Sequence, residues 1–170
     1  KNTCLAVGFA AIHLFKKDPE GVMVVLSADH FIRPKERLID ILRFGAAIAE
    51  RDDVLITIGI NPTRPETGYG YIELGEHYDS FDGLISFKVK QFKEKPNRTL
   101  AQQYYIGRMH MWNSGMFIWS TKSILNAISR CKPEMHRLLT EYGEKIGTAD
   151  ELKARQELFE RAEGVSIDVG

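Results

Sequence analysis

Cysteine is almost absent from this chain of 170 residues: Cys4 and Cys131 are its only two. Two such thiols make neither a disulfide framework nor metal-ligand spacing, which fits a reducing cytosol. An excess of one charge is missing as well, since 23 basic residues balance 23 acidic ones. Without a cationic surplus, nucleic acid and anionic membrane are poor bulk partners. No apolar run reaches the length of a transmembrane helix, and Lys1 does not open a signal peptide. Repeats, low-complexity tracts and long linkers are lacking, so one domain over residues 1–170 is expected, large enough to bury a core. No Ser/His/Asp or Cys/His set stands out for nucleophilic chemistry. The chain lacks a starting methionine and stops at Val169-Gly170, and so reads as a piece of something longer.

What is present alternates helix and strand. Leu5, Phe9, Ile12 and Phe15 form a helical stripe that Asn2 or Thr3 can cap. The run from Val22 to Leu26 is continuously apolar, as in a strand buried on both faces of a parallel sheet. Pro34 suits the first turn of a helix carrying Leu38, Ile41, Leu42, Ala46 and Ala49 inward, and Val54 to Ile60 reads as the next buried strand. Two strands joined by a long helix make a right-handed βαβ unit. Loop chemistry follows from Asn61 to Gly68, then strands from Tyr69 and from Leu84 to Glu94. A helix over Thr99 to Met109 precedes a strand from Met111 to Trp119. Helices are expected from Thr121, from Pro133 and around Asp150 to Ala162, ahead of a short strand near Val165-Ser166-Ile167.

Several residues invite chemistry, each with a plainer reading beside it. Asp29 follows the buried strand that ends near Leu26, at the strand end that faces the ligand crevice in open α/β sheets. There its carboxylate can hold Mg²⁺ through oxygen, or simply cap the next turn. His30 reads as a local hydrogen-bonding residue. Gly68 and Gly70 open a strand, where glycine permits a ligand to approach the backbone or merely serves a turn. Glu94 and Lys95 end a strand ahead of Pro96 and offer an acceptor beside a cation, or only a solvated pair. Trp112-Asn113-Ser114-Gly115 sets polar groups inside an apolar strand, where they need partners. Trp112 and Trp119 read as packing residues.

Phe92-Lys93-Glu94-Lys95-Pro96 and Met111-Trp112-Asn113-Ser114-Gly115-Met116-Phe117 together resemble the mannose-1-phosphate guanylyltransferases, a branch of the sugar-nucleotide pyrophosphorylases. The likeness extends along the chain. Ser27-Ala28-Asp29-His30 is similar to a family Pro-Ala-Asp-His, with Ser27 in place of proline. Gly68-Tyr69-Gly70-Tyr71-Ile72, Lys1-Asn2-Thr3 and Ser166-Ile167-Asp168 resemble further family elements, although Val169 stands where an aromatic residue is usual.

The resemblance implies an α/β, Rossmann-like (GT-A-like) nucleotidyltransferase fold with a mostly parallel mixed sheet. It implies transfer from GTP to mannose 1-phosphate, giving GDP-mannose and pyrophosphate, in the cytoplasm and with Mg²⁺ held by Asp29 and Asp168. By the same resemblance Gly70, Glu94 and Asn113 meet the sugar, Lys95 neutralises its phosphate, and Asn2 and Thr3 lie near the nucleoside. Catalysis is then assigned to Asp29, Lys95 and Asp168. The family opens with a strand and a loop of the form Gly-Gly-x-Gly-x-Arg, followed by Pro-Lys, and nothing of that form occurs here. The expectation is therefore a chain that starts after the first strand and nucleotide loop, inactive alone, with an unpaired sheet edge that invites homodimerisation. Two other readings stand beside this one: a related nucleotidyltransferase for another sugar or base, and a non-catalytic binding module.

Overall fold

The computed structural model describes residues 2–167. In chain order the elements are α1 (Thr3–Lys17), β1 (Val22–Val25), α2 (Lys35–Arg51), β2 (Ile56–Ile60), β3 (Tyr71–Phe81), β4 (Leu84–Lys93), α3 (Arg98–Gly107), β5 (His110–Ser120), α4 (Thr121–Cys131), α5 (Pro133–Lys145) and α6 (Glu151–Arg161). The strands form one five-stranded sheet in the order β1-β5-β3-β4, with β2 also paired to β5. Among the described residues no helix is long and apolar enough to cross a membrane. By its contacts the chain divides into two units, one of Lys1–Val25, Ala46–Leu55 and Ile118–Gly170, the other of Leu26–Gly45 and Ile56–Phe117.

The first unit is mainly helical. α1 packs on α4 and α5, and α5 on α4 and α6. The buried face of α1 is Cys4, Leu5, Val7, Gly8 and Ala11, which meets Leu139 and Ile128 at Gly8. Phe9, Ile12 and Phe15 of the expected stripe are only half-buried. Phe9 instead joins an aromatic group, stacked on Tyr142 at 5.1 Å and edge-on to Phe159 at 5.5 Å. Full burial of a side chain such as Leu5 or Leu139 contributes about 1.5–3 kcal/mol. Ser120 starts α4 by accepting a hydrogen bond from the Ser123 amide at 2.9 Å, and the Ser123 hydroxyl donates to Asp53 at 2.5 Å. The strand expected near Val165 is absent. That segment is irregular, tied back by the Cys4 amide to the Val165 carbonyl at 3.0 Å.

The second unit is built on β3, which pairs antiparallel with both β4 and β5. These two ladders are the antiparallel part of the α/β sheet. The cause is local: β3 and β4 are joined by Asp82-Gly83 alone, and a two-residue connection can only join antiparallel strands. Both turn residues have positive φ, 45° and 71°, the backbone that Asp-Gly adopts most readily in a tight hairpin. α3 begins where the Asn97 side chain accepts from the Leu100 amide at 2.9 Å.

His110, at the start of β5, lies opposite Glu73 and stacks on Tyr104 with centroids 3.9 Å apart. Both its ring nitrogens are buried without a hydrogen-bond partner among the described residues. Burial lowers its pKa from 6.5, with Glu73 opposing and Lys93 and Lys90 assisting. The unfolded chain therefore takes up this proton first as pH falls, so stability is present above about 6.5 and declines below it. His110→Phe should keep the stacking, remove two unsatisfied polar atoms and raise the Tm, with a smaller drop between pH 7.5 and 5.5 than in the wild type. Parallel pH dependence in thermal melts of the two proteins would contradict this.

Candidate functional site

Strand register brings three segments of the second unit to one end of the β4-β3-β5 ladder. Tyr71 is opposite Lys93 on β4 and opposite Trp112 on β5. Gly70, one residue earlier, therefore stands between the Glu94-Lys95-Pro96 run and Asn113. The Asn113 amide donates to the Gly70 carbonyl at 2.8 Å. A Cβ built on Gly70 would lie 3.7 Å from the Lys93 carbonyl and 3.8 Å from the Asn113 Cβ, ordinary contacts. The chain's own packing does not demand glycine here.

Asn113 is aimed by its surroundings. Its Oδ1 accepts from the Gly115 amide at 3.1 Å and from the Thr57 hydroxyl at 3.4 Å. A backbone N–H can only donate, so the oxygen must face Gly115 and the carboxamide nitrogen must face away. That nitrogen makes no hydrogen bond among the described residues. Gly115 sits at φ 69°, the left-handed region that lets a side chain two residues back reach its amide without strain on a Cβ. Ser114 answers the cost of a polar strand residue: its hydroxyl donates to the Ile58 carbonyl at 2.5 Å and accepts from the Met116 amide at 3.1 Å.

Lys95 differs from its neighbours. Lys90 and Lys93 both reach Glu73, at 2.5 Å and 3.3 Å, and their hydrogen bonds hold that carboxyl below its ordinary range. Lys95 is exposed and forms no ion pair among the described residues. Glu94 is likewise exposed, its carboxylate meeting only the Lys95 amide at 3.4 Å. An exposed cation and an exposed carboxylate thus follow Lys93 on the strand beside Gly70, while Pro96 is buried and anchors the run. Trp112 is 8% exposed, with Arg64 over its ring at 5.7 Å and Tyr69 edge-on at 5.2 Å, and so packs as expected.

Asp29 lies in the segment after β1, which passes beside the site: Ser27 Oγ is 3.7 Å from where a Cβ on Gly115 would sit. The Asp29 side chain is 89% exposed, and the His30 ring lies 3.9 Å from its carboxylate. Its oxygens are thus available to a hard cation. Among the described residues no cluster of three or more His, Cys, Asp or Glu could hold a metal. Asp168, the second carboxylate expected for Mg²⁺, lies outside the described residues. Asn2 and Thr3 belong to the first unit and have structural duties. Asn2 accepts from the Thr3 amide at 2.8 Å, and Thr3 Oγ1 accepts from the Ile167 amide at 2.9 Å with Ser166 Oγ at 3.3 Å.

Sequence reasoning singled out Ser114 as a polar strand residue in need of partners, and it missed Thr57 and Glu66 as supports. Thr57 did carry a signal, as a hydroxyl inside an apolar strand. Glu66, in a loop of prolines and charges, carried none.

Comparison with known proteins gives the same direction. The family model described as nucleotidyl transferase matches residues 1–158. The mannose-1-phosphate guanylyltransferase of Escherichia coli K12 is 37% identical over 137 residues, covering 79% of this chain and 28% of that protein. The mannose-1-phosphate guanylyltransferase 2 of Escherichia coli O157:H7 is 31% identical over 178 residues, covering 99% of this chain and 36% of the relative. The chain thus spans about a third of such relatives. A crystal structure from Thermus thermophilus, described as mannose-1-phosphate geranyltransferase, superposes with a TM-score of 0.80 at 27% identity, over 99% of this chain and 46% of that one. A Helicobacter pylori structure described as mannose-6-phosphate isomerase gives 0.74 at 24% identity, over 99% and 62%, and shows the fold alone. With a match over nearly its whole length and the α/β fold to accompany it, the chain belongs to the nucleotidyl transferase family.

Proposed function

We propose that the full-length protein transfers a guanylyl group from GTP to mannose 1-phosphate, giving GDP-mannose and pyrophosphate. The observation that carries this reading is the convergence of Gly70, Glu94, Lys95 and Asn113 at one end of the β4-β3-β5 ladder. The names of the relatives at 31% and 37% identity support the substrate pair. A phosphate oxygen of mannose 1-phosphate attacks the α-phosphorus of GTP, a P–O bond forms, and the bond to the β-phosphate oxygen breaks as pyrophosphate leaves. Such a displacement needs positioning and charge neutralisation more than covalent help from the protein.

The chain's residues divide those tasks. Glu94 accepts from sugar hydroxyls, and the Asn113 carboxamide nitrogen donates to another. Gly70 lets the sugar lie against the backbone. Lys95 neutralises the sugar phosphate as a point charge. Asp29 and Asp168 would hold Mg²⁺; the exposed oxygens of Asp29 fit a hard cation that takes few protein ligands. When bound, that ion supplies charge neutralisation at the phosphates. Asn2 and Thr3 act near the nucleoside, Thr3 by holding the segment ahead of Asp168.

Pyrophosphate release is the test. Full-length protein with mannose 1-phosphate, GTP and Mg²⁺ should release it well above blank, and faster than with UTP. No release from folded protein would refute the reading, and a preference for UTP would move it to a related nucleotidyltransferase.

A further inference from the structure

The loop that leads into Gly70 is fastened by one side chain. Glu66 Oε1 accepts from the Thr67 amide at 3.0 Å and the Gly68 amide at 3.1 Å. Its Oε2 takes Arg64, at 3.1 Å from Nε and 3.0 Å from the guanidinium terminus. The backbone of Glu66 is clamped as well. The Tyr71 hydroxyl donates to the Glu66 carbonyl at 2.8 Å and accepts from the Glu66 amide at 3.1 Å. Tyr71 is fully buried at the head of β3. Arg64 also lies over Trp112, the residue before Asn113, and Tyr69 meets the same ring. The loop is therefore tied both to the strand that follows Gly70 and to the strand that carries Asn113.

We infer that Glu66 is a positioning residue for the sugar-phosphate site, setting the path of residues 67–70 so that Gly70 meets the sugar. The inference rests on the sugar-phosphate assignment proposed above. Two backbone donors and an arginine fork occupy both carboxylate oxygens, so Glu66 acts on the loop and not on substrate. Thr67, Gly68 and Tyr69 are exposed and bury little surface of their own. Their order comes from these hydrogen bonds, so losing the carboxylate loosens the loop while the core remains. The Gly68 amide and Arg64 hold the Glu66 carboxyl below its ordinary range, which keeps it ionised and engaged near neutral pH.

The test compares full-length wild type, Glu66→Ala and Glu66→Gln by calorimetric binding of mannose 1-phosphate and of GTP, and by amide hydrogen exchange at Thr67 and Gly68. In Glu66→Ala, exchange at both amides should quicken about tenfold or more as the local bonds are lost. Mannose 1-phosphate should bind about tenfold more weakly, with GTP affinity changed less than about twofold, because only the sugar side depends on the loop. Glu66→Gln keeps an acceptor for both amides and should recover sugar-phosphate affinity to within about threefold of wild type. Unchanged exchange and affinity in Glu66→Ala would overturn the inference. So would equal losses for both ligands with a lowered Tm, which mark a general structural role. If wild type itself does not bind mannose 1-phosphate, the sugar-phosphate assignment fails and the positioning role fails with it, even where the exchange data show Glu66 holding the loop.

Discussion

Replacing Lys95 by alanine in the full-length protein should raise the KM for mannose 1-phosphate by about one to two orders of magnitude, the scale of losing a charged partner at a binding site. The KM for GTP should move far less. The expectation follows from the contrast among the lysines of this strand end: Lys90 and Lys93 are spent on Glu73, whereas Lys95 makes no ion pair among the described residues. A cation free in the apo chain can meet a phosphate without first breaking a bond. Lys95→Arg should recover only part of the loss, since a planar fork does not replace a point charge at a fixed distance. Equal effects on both substrates would assign Lys95 a general electrostatic role.

Asp29→Asn should lower turnover about a hundredfold or more with folding intact, on the scale of losing a metal's charge at a phosphoryl centre. The Asp29 side chain is 89% exposed, so its removal disturbs no packing and a folding defect would not mask the effect. The amide keeps the shape and one oxygen but loses the charge that a divalent cation needs. Steady-state rates across a Mg²⁺ titration check this. Wild-type turnover at low Mg²⁺ would remove Asp29 from the metal role.

The sequence made the α/β character and several helix limits legible for a physical reason, whereas the sugar-side roles of Gly70, Glu94, Lys95 and Asn113 came only with the family resemblance. Long apolar runs and caps act locally, so Thr121–Cys131 and Pro133–Lys145 could be placed from pattern alone. Strand direction was less legible. A continuous apolar run signals burial on both faces but not which neighbour it pairs with, and Asp82-Gly83 was the one local cue that β3 and β4 fold back on each other. The short strand expected near Val165 failed because three apolar or small residues satisfy the pattern without a partner strand. Asn113 stood out as a polar residue inside an apolar strand, and the structure supplies what pattern could not: Gly115 fixes which end of its amide faces outward. Glu66 was invisible because its work is done through backbone amides, which leave no mark on composition.

The central claim is that Gly70, Glu94, Lys95 and Asn113 form one sugar-phosphate site. A crystal structure of the full-length protein with mannose 1-phosphate tests it most directly. The sugar should lie against Gly70, with its hydroxyls on Glu94 and the Asn113 carboxamide nitrogen and its phosphate on Lys95. Mannose 1-phosphate bound elsewhere, with these four residues untouched, would contradict the account.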